Sequence, residues 1–266
     1  MISLQNNLLV KVASGGLCKA FGVRLVTNPS IVQLAYNAGF DALFIDLEHS
    51  TLSVDDASRH CMFATVLGIT PFVRVPYQCG NGFVQRVLDG GAMGIVFPHI
   101  HNSDDAKAAV AISKYPPMGC RSMTGQLPVF NLRPTPSHEV ITKTNAHAST
   151  VILMIETKDS IEKADEIAAV PGVDVLLIGS NDLSIELGAP GGFQTQEFRT
   201  ALELISTVCK KHGKIFGLAG IYDAPEIQDW AINTLGARFI LGQQDSGVIA
   251  REGKRNAEAL DNIFKG

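Results

Sequence analysis

No stretch of this chain approaches the roughly 20 consecutive apolar residues of a membrane span, so no transmembrane helix is expected. Residues 1–7 lack the basic start and apolar core of a signal peptide. Cys18, Cys61, Cys79, Cys120 and Cys209 are odd in number and scattered, with no Cys-x-x-Cys pair. That excludes a disulfide framework, points to a reducing, cytoplasmic setting, and leaves the cysteines as inert core residues. Basic clusters, RNA-binding signatures and zinc-finger spacings are missing too. With a formal net charge of −4, nucleic acid is not an expected partner. There is no low-complexity tract, no internal linker and no Gly-x-Gly-x-x-Gly after the first strand-like run, where a dinucleotide site would need it. Charged residues make up only 18% of the 266 residues against 46% hydrophobic ones, enough to bury a large core.

What is present is a rhythm. Short apolar runs bounded by Gly or Pro read as strands buried on both faces, and amphipathic segments between them read as helices. Strands are expected over Lys19–Leu25, Ala42–Asp46, Pro71–Val75, Met93–Phe97, Val151–Ile155, Val175–Ile178, Lys214–Leu218 and Ala237–Leu241. The helices between them include Pro29–Ala38, Val54–Leu67, Gly82–Leu88, Ser103–Ser113, Ser137–His147 and Gln196–Lys211. A long terminal helix covers about 243–264. Its apolar Val248, Ile249, Ala257, Leu260, Ile263 and Phe264 recur at helical spacing and must pack on something. Eight strand–helix units in one domain, residues 1–266, predict an α/β fold of the (β/α)8, TIM-barrel class, with a doubly wound open sheet as the alternative. Only the Gly- and Pro-rich Tyr115–Pro136 breaks the rhythm. A loop this long is expected to be functional, and substrate specificity is expected from it, from the segments after the seventh and eighth strands and from a neighbouring subunit.

The apolar runs repeatedly end on charge, where such folds place their active sites. Glu156 follows five apolar residues, and Asp182 follows Val175–Ile178 across Gly179-Ser180-Asn181. Two carboxylates at one barrel mouth suit a hard divalent ion such as Mg2+, Mn2+ or Co2+. Asp182 taken alone reads equally well as a helix cap. Residues 179–182 also offer successive backbone N–H groups to a substrate carboxylate. His49, in Asp46-Leu47-Glu48-His49, is a candidate acid/base, with Asp46 and Asp89 as candidates to orient it. Arg74 ends an apolar strand and needs an anion there. It would hold a substrate carboxylate or a developing enolate oxygen, and an ion pair with Glu48 or Asp46 is expected besides. His99 and His101 are expected to make loop hydrogen bonds, and Lys158 to lie on the surface.

Taken in order, several segments carry a family resemblance. They are Ala38-Gly39-Phe40-Asp41 through His49, Val73-Arg74-Val75-Pro76, and Arg86 through Ala92. Further along come Tyr115-Pro116-Pro117-Met118-Gly119-Cys120-Arg121, Ile155-Glu156-Thr157 and Gly179 through Ser184. The chain thereby resembles the HpcH/HpaI family of metal-dependent pyruvate aldolases. The resemblance implies a lyase that cleaves a 4-hydroxy-2-oxo acid to pyruvate and an aldehyde through a metal-stabilised enolate. It implies metal ligation by Glu156 and Asp182, with Ser180 and Asn181 beside the substrate. It also implies acid/base work by His49 supported by Asp46 and Asp89, and enolate stabilisation by Arg74. It further implies a homo-oligomer, a trimer or hexamer, in which the last helix is exchanged between neighbours. The chain departs from the family pattern in two places: Met154 replaces a usual Gln, and Ser180-Asn181 replace Pro-Ala. They keep two alternatives open, oxaloacetate decarboxylation and the enolate coupling of a macrophomate synthase-like branch. A third alternative, a catalytically silent barrel binding a small acid, gives no reason for four charged groups at buried strand ends.

Overall fold

Eight short apolar runs become eight parallel strands that close on themselves in chain order, β1 to β8. The computed structural model describes residues 4–264. The strands are β1 (Cys18–Val23), β2 (Ala42–Asp46), β3 (Thr70–Arg74), β4 (Gly94–Phe97), β5 (Thr150–Ile155), β6 (Val175–Gly179), β7 (Ile215–Ala219) and β8 (Phe239–Gln244). Closure is made by β1 pairing with both β2 and β8. This is the expected TIM-type barrel, and the open sheet is excluded because no strand edge is left free.

Alternation along each strand divides the core in two. One set of side chains, including Ala20, Phe44, Phe72, Val96, Ile152, Met154 and Leu177, fills the barrel interior. The other, including Leu43, Ile45, Val73, Leu153, Ile155 and Ile178, packs outward against the surrounding helices. Both faces are buried, which is why these runs are continuously apolar rather than alternating.

Helix boundaries follow local signals. Val54–Leu67 begins at a capping box of Ser53 and Asp56 and stops at Gly68, whose φ of 80° suits glycine. Ser137–His147 falls where the pattern placed it. The sequence rhythm gave no reading for the first residues, and the structure places a helix there, Asn7–Ala13. Asn6 caps it and donates to Thr150 Oγ1 (2.9 Å), while Leu8 packs among the interior residues. This helix therefore docks on the barrel.

Two expectations shift. Strand β8 runs on to Gln244, past the last apolar residue, because its pairing with β1 continues through an irregularity at Ala20/Phe21. The 115–136 segment precedes β5, so it joins the N-terminal ends of the strands. Its Tyr115, Leu127, Val129 and Phe130 pack with Met93 and Ala148, which precede β4 and β5. None of its residues lines the cavity at the other end of this chain's barrel. No described helix is long and apolar enough to cross a membrane. The terminal helix, Asp245–Ile263, leaves Leu260, Ile263 and the following Phe264 largely exposed.

Candidate active site at the C-terminal end of the barrel

On β2, β3 and β5 the inward-facing series continues beyond its last apolar residue and turns ionic. Phe44 is followed two residues on by Asp46, Phe72 by Arg74, and Met154 by Glu156. The same period of two that fills the core therefore aims these three groups at one mouth. A cavity of about 300 Å3 opens there, lined by Arg74, His49, Met154, Ser180, Asn181 and Asp182 among others.

Arg74 is the hub. Its Nε donates to Asp46 Oδ1 (3.0 Å) and its Nη2 to Asp46 Oδ2 (2.6 Å), a bidentate pair. Nη1 lies 3.1 Å from Glu48 Oε2, without the alignment of a good hydrogen bond, and 3.9 Å from Met154 Sδ. Burial would lift the Asp46 pKa. The Arg74 hydrogen bonds and charge, joined by the backbone N–H groups of His49 and Glu48, outweigh it and hold the carboxyl below its ordinary range. Burial would likewise depress Arg74, but Asp46 and Glu48 more than compensate and keep the guanidinium charged. The expected ion pair is thus present twice over.

His49 lies beside this hub with its ring half exposed and Nε2 3.6 Å from Glu48 Oε2. Asp46 does not touch that ring. It accepts the backbone N–H of His49 (3.2 Å) and of Glu48 (3.0 Å), so it positions His49 through the main chain. Asp89 is not brought to His49 in this chain. It ends the helix Asn81–Asp89, before the N-terminal end of β4, and pairs with Arg121 at 2.7 Å. An acid at the end of a helix following β3 belongs to the opposite end of the barrel.

Glu156 is 1% exposed. Its Oε1 accepts the backbone N–H of His99 at 2.6 Å and has His99 Nδ1 at 3.3 Å. Its Oε2 is buried with no partner. Burial raises the Glu156 pKa and the charge of Asp182 raises it further, against lowering by His99 and Arg74. Gly179 makes room for it, since a Cβ at 179 would overlap Oε2. Asp182 sits in the first turn of the helix Ser180–Glu186. It is not the residue that caps it. A buried carboxylate oxygen without a donor, facing the field of a second carboxylate, fits a hard cation. Among the described residues no third His, Cys, Asp or Glu completes a closed metal cage, so a cation here would keep positions for water and substrate.

Arg24 escaped the sequence reading, and Glu48 and His99 do more than was expected of them. Glu48, with its pKa raised chiefly by burial, bridges Arg74, His49 and His99. His99, expected only to hydrogen-bond the loop, sits at φ 52° and puts its ring between Glu48 Oε1 (3.5 Å) and Glu156. Arg24, at the end of β1, joins the cavity lining with Tyr222 and Gln244. The signal for Arg24 was available: it lies two residues beyond Gly22 and four beyond the inward-facing Ala20. His101 does make the expected loop hydrogen bond, to Asp105 (2.9 Å), and Lys158 is exposed.

Comparison with known proteins agrees with this geometry. Residues 25–231 match the HpcH/HpaI aldolase/citrate lyase family. The chain is 58% identical to 4-hydroxy-4-methyl-2-oxoglutarate aldolase tasA of Hapsidospora irregularis, over 99% of this chain and 97% of that one. It is also 58% identical to 4-hydroxy-4-methyl-2-oxoglutarate aldolase cghB of Chaetomium globosum, over 97% and 96% of the two chains. Among solved structures, the HpcH/HpaI aldolase of Desulfitobacterium hafniense superposes with a TM-score of 0.88 at 28% identity, over 97% of this chain and 98% of that one. The chain belongs to the HpcH/HpaI aldolase/citrate lyase family and is one of its aldolases.

Proposed function

We propose that this aldolase cleaves a 4-hydroxy-2-oxo acid between C3 and C4 at the cavity bounded by Arg74, His49, Glu156 and Asp182. The observation that carries the reading is Glu156 Oε2, a buried carboxylate oxygen with no donor, beside Asp182. Glu156 and Asp182 would hold a divalent cation, which supplies Lewis-acid polarisation of the 2-oxo group. Ser180 Oγ, 1% exposed and unpartnered, is free to donate to the C1 carboxylate, with Asn181 beside it.

Arg74 would turn Nη1 to the reacting end, because Asp46 occupies Nε and Nη2 while Nη1 has only the poorly aligned Glu48 and the weak acceptor Met154 Sδ. As the C3–C4 bond breaks, its electron pair passes to C3 and on to the C2 oxygen. A fixed guanidinium aimed at that oxygen stabilises the charge as it develops. His49 takes the proton from the C4 hydroxyl, leaving a C4 carbonyl. The enolate then takes up a proton at C3 to give pyruvate. Glu48, 3.6 Å from the His49 ring, favours the transient imidazolium.

The apolar side chains left exposed on the terminal helix support packing against a second copy, in a trimer or hexamer. Five free cysteines support a cytoplasmic location.

The first experiment is hydrogen–deuterium exchange at the methyl group of pyruvate in heavy water, followed by NMR. It is run with Mg2+, Mn2+ or Co2+ and again with a chelator. Cation-dependent exchange supports the reading. No exchange with any of the three, or exchange that the chelator leaves untouched, overturns it.

A further inference from the structure

The cavity holds two guanidinium groups, and only one of them has its charge met. Arg74 faces Asp46 and Glu48. Arg24 has no carboxylate within ion-pair distance among the described residues. Its Nη2 donates to the backbone oxygen of His49 (3.0 Å), and Nη1 lies 3.5 Å from Gln244 Oε1. Two neutral acceptors and solvent meet it at the exposed rim of the cavity, so the guanidinium stays open to an anionic group of the substrate.

The surroundings hold Arg24 there. Asp245, 1% exposed, accepts the backbone N–H of Arg24, Leu25 and Val26 (2.8–3.3 Å), which pins the end of β1 to the start of the terminal helix. Gly22 pairs in register with Gln244, and a Cβ at 22 would come 2.6 Å from Gln244 Cγ. Glycine at that position therefore lets the Gln244 side chain lie across β1, next to Arg24. Tyr222 lines the same wall. Burial is the first cause raising its hydroxyl pKa, to about 12, in spite of the lowering fields of Arg74 and Arg24, so the phenol stays a donor.

We propose that Arg24, with Tyr222 beside it, receives a second carboxylate of the substrate, carried on the fragment that leaves as the carbonyl product. The substrate named for the two 58% identical relatives is such a 4-hydroxy-2-oxo dicarboxylic acid, and the assignment gives this chain the residues that would select that class over monocarboxylic acids. Cleavage to pyruvate and a neutral aldehyde is disfavoured, because such a substrate forgoes the charge-assisted contact with Arg24 and leaves that guanidinium to water. The inference rests on the aldolase reading above and deepens it. Arg24 acts here in selection, while the bond-breaking groups remain those around Arg74.

The test compares 4-hydroxy-4-methyl-2-oxoglutarate with the monocarboxylic 4-hydroxy-2-oxopentanoate, reading kcat/KM for each with the wild type, Arg24→Met and Arg24→Lys. Arg24→Met is expected to lower the ratio of the two, dicarboxylate over monocarboxylate, on the order of 100-fold, the usual worth of a charge-assisted contact. Most of that loss should fall on KM. Arg24→Lys keeps the charge without the fork and should retain part of the ratio. A wild type with no preference, or an Arg24→Met ratio equal to that of the wild type, overturns the Arg24 assignment alone. A wild type that cleaves neither acid overturns the aldolase reading itself.

Discussion

Replacing Asp46 by Asn tests the hub directly, because Asp46 and Arg74 meet at 1% and 10% side-chain exposure and solvent screens them little. The substitution keeps the shape but removes the charge and places an amide N–H where Arg74 Nη2 needs an acceptor. Breaking a buried pair from one side costs about 3–5 kcal/mol, since the remaining charge is left without its partner. The lower end applies here, because Glu48 stays 3.1 Å from Nη1. For a chain of this size that corresponds to a fall in Tm of roughly 6 °C. Arg74→Met should cost less, because Asp46 would still accept the backbone N–H groups of Glu48 and His49. The double variant removes both charges and should be more stable than the sum of the two losses implies, by about 1–3 kcal/mol. The assay is thermal unfolding of all four proteins at one protein concentration and pH. Additivity within about 0.5 kcal/mol, or an Asp46→Asn variant as stable as the wild type, would refute the reasoning. Asp46 also places His49 through the main chain, so kcat/KM should fall about 100-fold in Asp46→Asn, the scale of a misplaced catalytic group.

Glu156→Gln and Asp182→Asn should each lower cation-dependent pyruvate exchange by at least ~100-fold. With chelator present, Glu156→Gln should melt no lower than the wild type, because it removes a carboxyl whose ionisation burial already opposes; a large loss of stability would contradict that. Gly179→Ala adds a methyl that overlaps Glu156 Oε2 and comes 3.0 Å from Glu156 Cβ and Met154 Cε. Exchange should be lost as in Glu156→Gln, and Mn2+ titration followed by electron paramagnetic resonance should show weakened binding; unchanged affinity counts against the assignment. Glu48 has a folded pKa above its unfolded value, chiefly through burial. Its contribution to stability is therefore present below the unfolded pKa and is lost as pH rises through the folded one. Glu48→Gln should gain in Tm relative to the wild type as pH rises from about 4.5, and parallel Tm–pH curves would exclude the effect.

The barrel was legible because its strands are buried on both faces. Such runs declare themselves without any partner, and Ala42–Asp46 was placed to the residue. The helix Asn7–Ala13 was not, because it is only seven residues long and Leu8 is the one residue it buries, which gives no period to read. The site was legible where a charge directly ends an apolar strand, as at Arg74 and Glu156. It was not legible where a side chain's place within the chain depends on pairing across loops. Asp89 had an acidic side chain near a motif, but its helix carries it to Arg121. His99 looked like loop filler, and only the left-handed turn at φ 52° swings its ring between Glu48 and Glu156. Arg24 was hidden by glycine: Gly22 breaks the apolar look of β1 while keeping the inward register that leads to the arginine.

The charges around the cavity explain why these assignments belong together. Asp46, Glu48, Glu156 and Asp182 bring four carboxylates to one strand-end cluster, while Arg74 and Arg24 bring two guanidinium groups. Asp46 and Arg74 cancel closely enough that Asp46 stays ionised. The excess falls on Glu48 and Glu156, the two whose pKa values are pushed upward by burial and by neighbouring carboxylates. A dicarboxylic substrate would add two more negative charges to that excess. Arg24 answers the one farther from Glu156. The nearer one, with the oxygen that gains charge as C3–C4 breaks, needs positive charge on the Glu156–Asp182 side, where the chain supplies none beyond Arg74 Nη1. A divalent cation on those two carboxylates would relieve their mutual repulsion and turn a wall that repels acids into one that binds them. On this argument cation binding comes before the acid, and the affinity for pyruvate itself should rise with cation concentration until the Glu156–Asp182 pair is filled.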